Sequence, residues 1–331
     1  MNNQKKEMII INDNTFDCFE TVIATVLNYF GRDFWPMFLN TWNFSFNDKD
    51  DNIMKNISPN SGNYFRTILM EFLGLNLIED TPLDEHDFIL SQLRNGMPVI
   101  IKTDAYYIPW SKSYNKYHYR HYFLIKGYDS EKGEYTYADP FCGIKQEVLP
   151  AGHMENYAKE CISVYLNHSP HNEKITDKLY SFLLVRRDNA EGAINQLLNF
   201  HVRFSDVIKD KNAAINLEEE DIISLGQITN ERINYSAFLA NQERYTAISF
   251  DYEISMLKNL ARKWNKFKMY LIKLSVRKTF DELIVKLLNG LIDEIIREEK
   301  IITDKLISKI EQVTKPIAPY SSSKPDTLVE G

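Results

Sequence analysis

Three side chains in this sequence are of the types that carry covalent acyl chemistry: Cys18, His121 and Asp139. Cys18 opens a stretch in which Cys18, Val22, Thr25, Val26 and Tyr29 share one helical face that ends at Gly31. A thiol at the first turn of a helix faces free N–H groups and the positive end of the helix dipole, and both favour the nucleophilic thiolate. His121 heads the apolar run HYFLIK, a strand, which places an imidazole on a rigid element. The run EYTYA follows after the turn Ser130 to Gly133 and ends at Asp139-Pro140. An antiparallel hairpin over these two runs makes His121 and Asp139 cross-strand neighbours. A carboxylate there would accept the Nδ1–H of His121 and aim Nε2 at a thiolate, the arrangement of nucleophile, base and orienter.

The elements that must hold these groups follow from periodicity. Met8 to Ile11 reads as a short strand, Asn60 to Leu75 and Leu83 to Leu93 as helices, and Pro98 to Ile101 as a strand entered through Asn95-Gly96. A helix from Gly152 to Glu160 and a strand from Cys161 to Leu166 complete this part. Beyond His168 the pattern turns helical, over 176–186, 190–209, 218–240, 251–278, 280–298 and 303–313, before a tail rich in proline and serine. The expectation is an α+β domain over 1–168, a helical domain over 169–314 and a flexible tail over 315–331.

Composition narrows the function. The chain has 331 residues, 39 Lys+Arg against 46 Asp+Glu, a formal charge of −7, and 19 Phe and 19 Tyr. That is enough apolar material for about two packed domains, and the acidic balance argues against nucleic acid as the main partner. Three cysteines, an odd number, point to a reducing compartment. The N-terminus lacks the apolar core of a signal peptide and no run is long enough to span a bilayer, so a cytoplasmic protein is expected. No glycine-rich phosphate loop is present. The remaining histidines His86, His153, His168, His171 and His201 lack zinc-site spacing, so no metal is expected. His118 stands as a second candidate base, and Cys142 and Cys161 read as structural.

The string Asp17-Cys18, then Glu20-Thr21 and Tyr29-Phe30-Gly31, taken with HYFLIKGYD and YADP, resembles the papain-like cysteine peptidases that include the bacteriocin leader peptidases. Within that group it is most similar to the butirosin biosynthesis protein H family. The resemblance spans roughly residues 8 to 168 and implies a papain-like fold, N-terminal helices on an antiparallel sheet, followed by an all-helical domain. In the leader peptidases a glutamine six residues before the cysteine supplies an oxyanion donor. Asn12 holds that position here, an amide one methylene shorter, with a role either in the oxyanion hole or in capping the turn before the helix.

The resemblance further implies acyl transfer from the phosphopantetheine thioester of a carrier protein to an amine acceptor, with no bound cofactor. The alternatives are a peptidase that removes a leader peptide and an inactive papain-like binding protein. Two local features suit the first reading. Ala105 to Tyr122 carries six tyrosines and Trp110, suited to lining a cleft for an acyl chain. The run Lys258, Arg262, Lys263, Lys266, Lys268, Lys273, Arg277 and Lys278 contains no acid and would dock an acidic carrier, unless it pairs within the chain, for instance with Glu218 to Asp221.

Overall fold

The computed structural model describes residues 7–58, 62–80, 85–167, 175–209, 217–246, 248–277 and 281–314. Helix α1 (Cys18–Tyr29) starts where it does because Asp17 accepts the N–H groups of Phe19 and Glu20, while Glu20 returns a carboxylate to the Asp17 N–H at 2.8 Å. Val22, Ile23, Val26 and Leu27 along it are fully buried, and Gly31, at φ +71°, turns the chain away from the helix.

After a small ribbon of β1 (Ser45–Phe46) and β2 (Ile57–Ser58), helix α2 (Gly62–Glu71) runs into β3 (Leu75–Asp80), and helix α3 (Glu85–Arg94) into β4 (Val99–Asp104). Then come β5 (Arg120–Asp129), β6 (Glu134–Asp139), β7 (Ile144–Pro150) and β8 (Glu160–Leu166). The six longer strands form one sheet in the order β3-β8-β4-β5-β6-β7, antiparallel throughout. Alternation sorts its two faces. Ile100, Tyr122, Leu124, Ala138, Ile162 and Val164 join the core that contains α1, while Val99, Ile101, Phe123, Ile125, Tyr135 and Tyr137 pack with Ile89 of α3.

The C-terminal part is helical: α4 (Ile175–Lys209), α5 (Glu219–Thr246), α6 (Asp251–Arg277) and α7 (Glu282–Thr314). Its core is continuous with that of α1, since Phe44 stacks on Trp264 at 5.7 Å and also meets Phe200. Helix α5 leans on the segment that precedes α1, with the Asn234 amide donating to the Thr15 carbonyl at 3.3 Å. Among the described residues no helix is long and apolar enough to cross a membrane.

The chain is thus α+β, with helices on an antiparallel sheet and a helical C-terminal region, and several elements differ from the expected ones. Met8 to Ile11 is not a strand; it is irregular chain pinned to α1 by the Ile11 N–H on Thr25 Oγ1 at 3.0 Å. The segment after β7 is a 3-10 helix, Ala151–Asn156, in place of an α-helix to Glu160. The helices expected at 176–186 and 190–209 are one, as are those at 280–298 and 303–313. Their expected joints hold charged residues but no proline, and a charged residue does not by itself end a helix. The tail 315–331 lies outside the described residues.

Candidate active site

Cys18, half-buried at the first turn of α1, lies against the backbone of the strand that bears His121. Its thiol reaches the Arg120 carbonyl at 3.7 Å, and the Tyr122 N–H is directed at the sulfur. The thiol therefore touches the residue on either side of His121. Burial pushes the Cys18 thiol well above its usual range, the Asp17 charge adds to this, and the Tyr122 N–H opposes both. The helix N-terminus was expected to act the other way. It does not, because its N–H groups at Phe19 and Glu20 are spent on Asp17 and two carboxylates now occupy the positive end of the dipole. The resting cysteine is accordingly a thiol, and it needs a base.

One test follows directly. Asparagine caps a helix as well as aspartate does, so Asp17→Asn keeps the helix start and removes a charge that holds the proton on sulfur. Alkylation of Cys18 by iodoacetamide at fixed mildly alkaline pH should then speed up by roughly three- to tenfold. An unchanged or slower rate, read by peptide mapping, would show that Asp17 does not govern the thiol.

His121 and Asp139 are both fully buried, with His121 Nε2 2.7 Å from Asp139 Oδ2. They are not directly opposite. Leu124 faces Ala138, so counting outward leaves His121 two residues beyond the position facing Asp139, a diagonal pair on one face. The diagonal explains a second departure from expectation: the carboxylate meets Nε2, at the far tip of the ring, and not Nδ1. Nε2–H donates to Asp139, and Nδ1, buried and without a hydrogen bond, keeps its lone pair. The free nitrogen is therefore the one nearer the histidine's own backbone, where Cys18 lies.

Asp139 is held by more than the histidine. Trp110 Nε1 donates to the same oxygen at 2.8 Å, and the Cys142 N–H donates to Oδ1 at 3.1 Å. Burial by itself would raise this carboxyl, yet the His121 hydrogen bond and charge, with Trp110 and the Cys142 N–H, hold it below its ordinary value. Trp110 packs on Tyr137 at 4.5 Å and edge-on to Phe123, so this member of the aromatic loop positions the carboxylate, whereas Tyr107, Tyr114 and Tyr117 of the same loop are exposed. Nothing local in the sequence marks Trp110 for this task, since only the fold joins residues 29 apart, whereas the Cys142 N–H comes from the turn three residues after Asp139.

The other candidates fall as follows. Asn12 is exposed and its amide nitrogen overlies the turn after Asp139, 3.7 Å from where a Cβ on Gly143 would stand. The turn before α1 is held by Asp13, which accepts the Thr15 N–H at 2.9 Å, so Asn12 is not its cap. His118 is exposed and has a carboxylate of its own, Asp104 Oδ2 at 2.9 Å, while its ring stacks on Tyr106 at 4.0 Å. Burial works against the Asp104 charge, but hydrogen bonds from His118, the Tyr106 N–H and Lys159 bring it down to about 2.

On α6, Lys258, Arg262, Lys266 and Lys273 are exposed. Lys263 is tied to Glu294 and Glu298 of α7, and Arg277 to Asp281. Glu218 pairs with Lys55 at 2.7 Å and not with this helix. A groove of ≈ 760 Å³ lined by Leu90, Met97, Lys126 and Tyr128 lies toward the other end of β5, about 20 Å along the strand from His121, and takes no part in this site.

Residues 18–140 match the family model described as Butirosin biosynthesis protein H, N-terminal. The match opens on Cys18 and closes one residue past Asp139. No curated protein matches the chain.

Proposed function

The N-terminal part of the chain belongs to the butirosin biosynthesis protein H family, and from that premise we propose that the protein is a cysteine-dependent acyltransferase of antibiotic biosynthesis. It takes an acyl group from the phosphopantetheine thioester of a carrier protein onto Cys18 and passes it to an amine, forming an amide. The observation that carries this reading is the placement of a half-buried thiol against the strand of a histidine whose outer nitrogen is hydrogen-bonded to a buried carboxylate and whose inner nitrogen is free. On this reading the N-terminal domain is papain-like.

In the first half-reaction His121 Nδ1 takes the Cys18 proton as sulfur attacks the thioester carbonyl carbon. The carbonyl oxygen becomes an oxyanion near the N-terminus of α1, where the Cys18 N–H, which Asp17 leaves uncapped, would receive it together with the Asn12 amide. The carbon–sulfur bond to the carrier then breaks, and the departing pantetheine thiolate takes the proton from the imidazolium. In the second half-reaction the amine attacks acyl-Cys18, His121 removes a proton from the nitrogen, and Cys18 leaves and recovers it. Thioester exchange is nearly isoenergetic and aminolysis runs downhill, so neither half requires ATP or a metal. The exposed cations Lys258, Arg262, Lys266 and Lys273 of α6 would receive an acidic carrier, a contact weakened by salt.

Incubation of the protein with an acylated carrier protein is expected to add the acyl mass to the peptide containing Cys18, and addition of an amine to remove it as amide. Cys18→Ala should carry no such mass. Acylation that persists in Cys18→Ala, or its absence in the unmutated protein, would remove the mechanism, and release as free acid in the presence of amine would make the protein a hydrolase.

A further inference from the structure

Cys142 has no part in those steps, yet its thiol belongs to the same buried knot as the His121–Asp139 pair. A ring nitrogen of His121, a carboxylate oxygen of Asp139 and the Cys142 sulfur all lie within 4.8 Å of one another. The first two residues are fully buried and Cys142 is half-buried, so the three donors converge from the interior toward a thiol that solvent can reach. Three separate backbone elements set this geometry: the start of β5, the end of β6 and the turn that follows. In that turn the Gly143 N–H donates to the Pro140 carbonyl at 3.0 Å and Gly143 takes φ +76°, which folds Cys142 back over Asp139.

One imidazole nitrogen, one thiolate and one carboxylate around a common point, with one side open, is a ligand set suited to zinc with a fourth position left for water. The thiolate and imidazole disfavour magnesium and calcium, which prefer oxygen alone. We propose that His121, Asp139 and Cys142 form a three-ligand zinc site whose occupancy switches off the Cys18 chemistry. Zinc displaces the S–H proton of Cys142 to solvent and takes the Asp139 carboxylate, so the local charge changes from −1 to 0. The neutral imidazole carries a single proton. If Nε2 binds the metal, that proton must sit on Nδ1, which can no longer accept one from Cys18; if Nδ1 binds, its lone pair is used. Either way the base is lost. The binding itself stands independently of the acyl-transfer reading, and only the inhibition rests on it.

The test uses the full chain, stripped with EDTA and titrated with zinc chloride in a calorimeter. One zinc per chain is expected, with release of one proton read from two buffers of different ionisation enthalpy. Cys142→Ser should weaken binding by about tenfold or more, and Cys18→Ala should leave it unchanged. In the unmutated protein zinc should shield Cys142 from iodoacetamide in a peptide map, a readout that does not depend on whether a variant folds. Acyl transfer by the unmutated protein should fall with zinc and return with EDTA. No binding, unshielded Cys142, or binding lost in Cys18→Ala but kept in Cys142→Ser overturns the site. Zinc bound at Cys142 with acyl transfer undiminished overturns the switch.

Discussion

His121→Ala is expected to lower turnover by about 10⁴-fold, and Asp139→Asn by a comparable factor, because in the proposed mechanism Cys18, His121 and Asp139 act as one unit. The alanine removes the imidazole that would take the proton from a thiol whose pKa burial raises. The asparagine acts through geometry. Asp139 Oδ2 accepts from both His121 and Trp110 while Oδ1 accepts from the Cys142 N–H, so every contact on this carboxylate is a donor pointing at it. An amide replaces one acceptor by a donor and must oppose at least one of them. If its NH₂ faces His121, the ring takes the wrong tautomer, with its proton on Nδ1; if it faces Cys142, a buried N–H is orphaned at a cost of about 1–3 kcal/mol. The stability loss has a pH signature. A carboxyl held below its unfolded value stabilises the fold above that value, about 3.9, and the contribution is lost as pH falls through the folded value. The gap in melting temperature between Asp139→Asn and the unmutated protein should therefore be full at neutral pH and narrow below about pH 4. Rates and far-UV circular dichroism on both variants check the argument. A normal rate in His121→Ala, with activity lost in His118→Ala, would move the base to the exposed pair of His118 and Asp104.

Much of this site is legible in the chain because its signals are local. The cap at Asp17 with Glu20 three residues later, the apolar stripe behind Cys18, and the alternation on either side of the Ser130 to Gly133 turn each lie within a dozen residues. What was not legible depends on contacts distant in sequence or on weak patterning. Strand β7 is an edge strand with four consecutive exposed residues, so it carries no alternation to read. Strand β3 is short and follows Gly74 directly, which let the preceding helix absorb its first residue. The direction of the His121 ring turns on a two-residue offset in register, and a strand pattern does not specify register to that precision. The thiol departs from expectation for a related reason. A helix N-terminus favours a thiolate only while its N–H groups are free, and the same Asp17 that caps the helix takes two of them, at Phe19 and Glu20.

The second large effect is on stability and lies away from the site. Glu299→Ala should destabilise the protein by about 3–5 kcal/mol, the cost of removing one partner of a buried ion pair. Arg232 and Glu299 are almost wholly buried, with Nη2 and Nε of the guanidinium at 2.7 and 3.1 Å from the same Glu299 oxygen. Around this pair the Trp42 indole N–H donates to the other carboxylate oxygen, Arg232 Nη1 donates to the Asn43 carbonyl at 2.9 Å, and the guanidinium lies over the Trp264 ring at 5.6 Å. The adjoining void, ≈ 10 Å³, has room for about one water, too little to rehydrate a guanidinium whose remaining carboxylate contact is the longer 3.6 Å one to Glu231. The network thus ties the Trp42 segment of the N-terminal part to α5, α6 and α7, and its loss should weaken sheet and helices together. A urea titration followed both by tryptophan fluorescence and by far-UV circular dichroism is expected to shift as one transition. Replacing both charges, Arg232→Met with Glu299→Leu, should recover part of the loss, because the neutral groups that then lose a partner, the Trp42 and Trp264 indoles and the Asn43 carbonyl, cost less than a buried guanidinium whose remaining carboxylate contact is the 3.6 Å one to Glu231. A double variant less stable than Glu299→Ala would mean that the pair contributes net binding between the two parts beyond the penalty of a guanidinium that has lost its closest carboxylate. A loss under about 1 kcal/mol in the single variant would show that water reaches Arg232 after all.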